Sequence, residues 1–97
     1  MHVYFSGIGG VGIGPLAQLA LDAGYEVSGS DLHESEMTKS LLAQGVKVHI
    51  GQDEANISSL HQSKPIDWFV YSSALPQDHA ELKFATENKL KVSKRAE

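Results

Sequence analysis

Hydrophobic and polar residues alternate along this chain in two rhythms. Short stretches rich in β-branched and aromatic residues, bounded by glycine or polar residues, read as strands: HVYFSG (2–7), YEVSGS (25–30), VKVHI (46–50), DWFVYS (67–72) and LKV (90–92). DWFVYS is the most apolar of them and is expected at the centre of the sheet. Between the strands the period becomes helical. Ile13, Leu16, Ala17, Ala20 and Leu21 fall at i, i+3, i+4, i+7 and i+8. Pro15 sits in the tolerated first turn and Gly24 where a C-terminal cap belongs. A second helix is predicted over 35–44, with Met37, Leu41 and Leu42 inward and Gly45 ending it. Asp53 can cap a third helix carrying Ile57 and Leu60, and Asp78 with Glu81 has the form of a capping box for a fourth.

Strands alternating with helices mean βαβ units and a parallel sheet. The pattern predicts an α/β fold: an open, doubly wound, mostly parallel five-stranded sheet with helices on both faces and right-handed crossovers. Ligands of such sheets sit at the carboxyl ends of the strands, near the point where strand order reverses. That rule directs attention to the loops at 7–14, 30–34 and 72–76.

The first of these loops lies within SGIGGVGIGP (6–15). Gly7, Gly9 and Gly12 satisfy G-x-G-x-x-G in its proper setting, after a strand and before a helix, with Asp31 ending the next strand. This is the Rossmann-like fingerprint. Gly7 suits a tight turn, Gly9 a backbone approached by a ligand, and Gly12 close packing of helix on strand. The helix that follows offers N–H groups and a positive dipole end, which suit a phosphate chain. On this basis Gly9→Val is expected to leave the fold intact while blocking a diphosphate. Asp31 can accept a hydrogen bond from a ribose hydroxyl or cap the next helix. Ser72, Ser73 and the N–H of Ala74 face the same crevice. The fingerprint alone does not choose among NAD, FAD and a nucleotide sugar.

Composition narrows the partners. The chain has 97 residues, enough for one domain, with a net charge of −4 that argues against broad nucleic-acid or membrane-surface binding. Its longest apolar run, WFVY, is far short of the roughly 20 residues of a membrane helix. The start, MHVYFSG, lacks the basic residues of a secretory leader. The absence of cysteine excludes disulfides and thiolate chemistry and fits a reducing, cytoplasmic setting. Histidines 2, 33, 49, 61 and 79 show no zinc-ligand spacing and are expected at the surface or in the core. There is neither a G-x-S-x-G elbow nor a G-x-x-x-x-G-K-[ST] loop, and no carboxylate pair suggests an acid and a base. The chain is therefore expected to bind rather than catalyse, with no metal of its own. Half of the eight Lys and Arg residues fall at Lys89, Lys91, Lys94 and Arg95, and the closing KRAE carries no stop signal, which predicts that the polypeptide continues.

Taken in order, SGIGGVGIGPLAQLALDAGYEVSGSD, GVKVHIGQDEANI, DWFVYSSALPQDHAEL and KLKVSKRAE resemble the opening of the Mur ligases of peptidoglycan synthesis, above all the branch that adds L-alanine. The resemblance covers nearly the whole chain. It implies a cytoplasmic enzyme of three domains. The first, spanning residues 1–97, binds the UDP part of UDP-N-acetylmuramic acid. A central domain binds ATP and magnesium, and a C-terminal domain helps bind the amino acid. The muramoyl carboxylate would be activated as an acyl phosphate and attacked by the amine of L-alanine.

Carried over by position, Gly7, Ile8, Gly9, Gly10, Val11 and Gly12 would cradle the diphosphate. Ser30, Asp31 and Leu32 would border the uridine, and Ser72, Ser73 and Ala74 would line a third wall. Ile13 stands where the family often has methionine, and Pro15 where it often has glycine. Gln52 replaces a histidine that borders the nucleotide pocket in many relatives, so uracil recognition is expected to differ in detail. A related ligase that recycles murein tripeptide usually carries a cysteine and bulky residues in the loop, so GIGGVG favours the alanine-adding branch. The alternatives are a regulatory NAD-binding module and a nucleotide-binding fragment of a dehydrogenase, both sharing the fingerprint.

Overall fold

The structure is a computed structural model, and it describes residues 1–10, 12–73, 75–76 and 78–95. The elements run β1 (His2–Ser6), α1 (Ile13–Asp22), β2 (Glu26–Asp31), α2 (Glu36–Ala43), β3 (Lys47–Ile50), α3 (Glu54–Ser63), β4 (Trp68–Ser72), α4 (Ala80–Glu87) and β5 (Lys91–Arg95). Every strand pairing is parallel, and the sheet order is β3-β2-β1-β4-β5. The order reverses between β1 and β4, so the loops leaving these two strands flank the switch point.

The sheet divides the core in two. On one face Val3, Phe5 and Val27 pack with Ile13 and Ala17 of α1 and Leu41 of α2. On the other, Tyr4 and Phe69 pack with Ile57 of α3 and Leu82, Phe84 and Ala85 of α4. Two-sided burial is what a parallel sheet requires, and it makes β1, buried along its whole length, the central strand. The expectation that DWFVYS is central is thus corrected: β4 lies one place over. β5 is longer than LKV and carries Lys91, Lys94 and Arg95 within it, an edge strand blunted by charge.

Helix starts depart from expectation in an informative way. Ser35 caps α2 in a true box with Thr38, whose side chain is fully buried, while Leu42, expected inward, is 46% exposed. Asp53 caps α3 as predicted, accepting from the N–H of Asn56. For α4 the box does not form. The cap is His79, whose Nδ1 accepts the N–H of Glu81, and Glu81 itself turns into the protein and is fully buried.

Candidate functional site

The glycine loop is built largely from hydrogen bonds within the chain. The carbonyl of Ser30 accepts from both Gly7 N–H (2.8 Å) and Ile8 N–H (2.9 Å), and Gly10 N–H returns to the carbonyl of Gly7 (2.9 Å). Gly7 turns at φ +83°, a conformation that glycine adopts readily and L side chains rarely do. Ile8 is driven into the core and fills the space left by Gly29 on β2. Gly9 donates to Asp31 Oδ2 at 2.8 Å, and a Cβ placed on it would lie 2.8 Å from that oxygen, 2.9 Å from Ser35 Oγ and 2.9 Å from Thr38 Cγ2. Asp31 and the start of α2 press against Gly9 where a side chain would stand, which corrects the expectation that Gly9→Val leaves the fold intact.

With the N–H groups of Gly7, Ile8, Gly9 and Gly10 engaged inside the protein, an anion at this loop meets the positive end of α1, which begins at Ile13 after Gly12 as N-cap. Val11 and Ala74, both expected at the site, lie outside the described residues.

Asp31 clamps two loops. Its Oδ2 holds Gly9, and its Oδ1 accepts from Leu32 N–H at 2.7 Å. A carboxylate has about four lone-pair positions, so a ligand hydroxyl can still be accommodated. Asp31→Ala is expected to cost about 1–2 kcal/mol of stability by leaving these N–H groups without their acceptor. Urea unfolding of the variant checks this, and an unchanged midpoint would contradict the clamp.

A cleft of about 480 Å³ opens at the carboxyl ends of the strands, lined by Ser6, Gly7, Gly10, Asp31, Leu32, Gln52, Ser72, Leu75, Pro76 and His79. Six of the expected site residues line it: Gly7, Gly10, Asp31, Leu32, Gln52 and Ser72. Ser30 lies beneath, its hydroxyl fully buried. Ser73 is exposed, gives its N–H to the carbonyl of Arg95, and lies outside the lining. An apolar groove of about 340 Å³ between α1 and β4–β5, lined by residues such as Leu16, Leu19, Trp68 and Val70, lies on the flank of the sheet. The convergent polar groups are in the cleft.

Below the cleft floor is a buried polar cluster that the sequence did not announce. Glu81 Oε2 accepts from the hydroxyl of Tyr4 at 2.6 Å, and its Oε1 accepts from Ser6 and Ser30, each at 2.7 Å. Ser6 and Ser30 are paired across β1 and β2, which brings both hydroxyls to one point. Gln52 Nε2 reaches the same two oxygens at 3.1 and 3.3 Å, and its Oε1 faces His79 Nε2 at 3.2 Å. His79 thus lines the cleft, although no histidine was expected among the site residues. The available signal was the line Tyr4, Ser6, Ser28 and Ser30: polar groups on buried strands require partners.

Burial, reinforced by the charge of Glu81, pushes the Tyr4 phenol well above its ordinary value of 10.0. A folded-state value above the unfolded one contributes stability that is complete below about pH 10 and is lost as the pH rises beyond it. Tyr4→Phe is expected to cost about 1 kcal/mol near neutrality and to flatten the alkaline loss of stability. Unfolding at about pH 8 and about pH 11 measures both effects, and an unaltered alkaline slope would contradict the burial of this hydroxyl.

A parallel sheet with its polar cleft at the switch point, roofed by a glycine fingerprint, defines a domain of the Rossmann-like class. A family model described as Mur ligase family, catalytic domain, matches residues 2–97, and the chain belongs to the Mur ligase family. It is 43% identical over 95 residues to UDP-N-acetylmuramate–L-alanine ligase of Clostridium botulinum (strain Eklund 17B / Type B), covering 98% of this chain and 19% of that protein. It is 42% identical over 97 residues to the protein of the same name from Syntrophobacter fumaroxidans, covering 99% of this chain and 19% of that one. The chain therefore spans about a fifth of the length of these curated relatives. Among solved structures, the UDP-N-acetylmuramate-alanine ligase of Thermotoga maritima superposes with a TM-score of 0.87 at 25% identity, over 98% of this chain and 21% of that one. The UDP-N-acetylmuramate:L-alanyl-gamma-D-glutamyl-meso-diaminopimelate ligase of Neisseria meningitides gives 0.81 at 29%, over 96% and 28%.

Proposed function

We propose that residues 1–97 form the N-terminal domain of an ATP-dependent ligase of peptidoglycan synthesis that joins L-alanine to UDP-N-acetylmuramic acid, and that the cleft binds the UDP part of that substrate. The observation that carries this reading is the position of the cleft. It lies at the carboxyl ends of β1, β2 and β4, with the N-terminus of α1 and the glycine loop on one side and Asp31, Leu32, Gln52 and Ser72 on the others. Names of relatives spanning the whole chain support the choice of ligand. Gly7, Gly10 and the start of α1, with Gly12, would border the diphosphate. Asp31 and Leu32 would border the ribose and base, with Ser30 holding the loop from below through its carbonyl. Ser72, with Leu75 and Pro76, would form the third wall.

In this proposal ATP and magnesium are held by the central domain of the longer protein, and the isolated chain is expected to bind its nucleotide without turnover; among the described residues no cluster of three or more His, Asp or Glu is placed to hold a metal ion. The proposed ligase is cytoplasmic; among the described residues no helix is long and apolar enough to cross a membrane.

Calorimetric titration of the chain with UDP-N-acetylmuramic acid, UDP and NAD in parallel tests the reading. Binding of both uridine ligands and not NAD is expected. Binding of NAD alone would favour the NAD-module or dehydrogenase alternative.

A further inference from the structure

We infer that Glu81 is a positioning residue for the cleft: its carboxylate fixes the direction of every hydrogen bond between the buried serines, Gln52 and His79, so that Gln52 presents an acceptor to the ligand. The consequence for the ligand rests on the reading of the cleft given above; the directions do not.

An ionised carboxylate only accepts. Ser6 and Ser30 each have one hydroxyl proton, and both protons point at Glu81 Oε1. Their oxygens therefore face Gln52 with lone pairs alone, and Gln52 must turn its NH₂ toward them. That leaves Gln52 Oε1 directed at His79. His79 Nδ1 is already taken as an acceptor by the N–H of Glu81, so its ring proton is on Nε2 and is donated to Gln52. Each bond agrees with the next. Gln52 Oε1 uses one lone pair on His79 and keeps a second, so this part of the cleft wall takes a ligand N–H or O–H donor and disfavours a ligand acceptor.

Glu81→Gln changes the volume little but gives this position an NH₂. The buried Tyr4 hydroxyl keeps an acceptor only if the amide oxygen takes the place of Oε2, so the new NH₂ faces the serines, donates to one and releases a hydroxyl proton toward Gln52. Gln52 is then pressed to flip, and its NH₂ opposes the N–H of His79. Adding Gln52→Glu reverses each bond consistently: the amide at 81 donates to both serines, the serines donate to the carboxylate at 52, and His79 Nε2–H again finds an acceptor.

Nitrogen-edited NMR of the His79 ring and urea unfolding should be recorded for wild type, E81Q, Q52E and E81Q/Q52E. The Nε2–H tautomer is expected in wild type, a loss of it in E81Q, and its recovery in the double variant, which should be more stable than the sum of the single losses allows. An unchanged tautomer in E81Q, or additive losses, would overturn the inference. In parallel, UDP affinity is expected to fall at least about tenfold in E81Q. Unchanged affinity alongside a shifted tautomer would overturn the positioning role. If UDP fails to bind the wild type, the ligand reading fails while the tautomer result still decides the directions.

Discussion

Glu81→Ala is expected to be the most damaging single substitution in this chain, costing about 3–4 kcal/mol. Three hydroxyls, from Tyr4, Ser6 and Ser30, would lose their acceptor together. A buried donor left unsatisfied costs about 1–3 kcal/mol. Ser6 borders the cleft, so water can reach part of the vacated space and the sum falls short of the maximum. Against the roughly 5–15 kcal/mol of a small domain, such a loss is a large fraction of the total. The denaturant midpoint should fall with little change in slope. The asymmetry of hydrogen-bond energetics supplies a control: adding Tyr4→Phe, Ser6→Ala and Ser30→Ala in a Glu81→Leu background removes the three orphaned hydroxyls, leaves only the Gln52 NH₂ to turn to water in the cleft, and should recover much of the loss. A Glu81→Ala cost below about 1 kcal/mol would mean that the cluster is not held as the structure places it.

Gly9→Val is expected to cost about 2–3 kcal/mol and to abolish ligand binding with it. Even the first added carbon would meet Asp31 Oδ2, Ser35 Oγ and Thr38 Cγ2 at 2.8–2.9 Å. Asp31 is held by its own bonds to Gly9 and Leu32, while Ser35 and Thr38 are locked in the capping box of α2. None of these atoms is the free end of a long side chain, so the backbone must shift, as in an overpacked core. The glycine loop and the α2 start would separate, widening the cleft on one side. Thermal or urea unfolding of Gly9→Ala and Gly9→Val should show graded losses. Full stability with binding alone abolished would contradict this packing and assign the space beside Gly9 to the ligand.

Much of the fold was legible because the chain's periodicities are clean. The shift from period two to period 3.6 located all five strands and four helices seen among the described residues, and glycine and aspartate marked several ends correctly. The choice of central strand was not legible. WFVY is more apolar than HVYFS, but sheet order depends on crossovers, not on local hydrophobicity.

The rim of the site was legible through the fingerprint and Asp31, its underside was not. D-x-x-E at 78–81 has the same form whether the glutamate folds back onto its own helix or turns inward. Only the pairing of Ser6 with Ser30 across β1 and β2 supplies the buried partners that decide it. His79 was obscured for the same reason: its two ring nitrogens acquire roles from Glu81 and Gln52, which are distant in sequence or invisible as a motif. The glycine fingerprint likewise did not show that Asp31, Ser35 and Thr38 fill the space where a Gly9 side chain would stand.

The central claim is that the cleft at the switch point binds the uridine diphosphate group. Amide chemical-shift mapping of the nitrogen-15-labelled chain during titration with UDP-N-acetylmuramic acid tests it most directly. The account predicts shifts concentrated at Gly7, Gly10, Asp31, Leu32, Gln52, Ser72 and His79, with Lys64 and Asp67 at the opposite end of the sheet unmoved. Shifts confined to the apolar groove beside Leu19 and Trp68, or no shifts at saturating ligand, would contradict it.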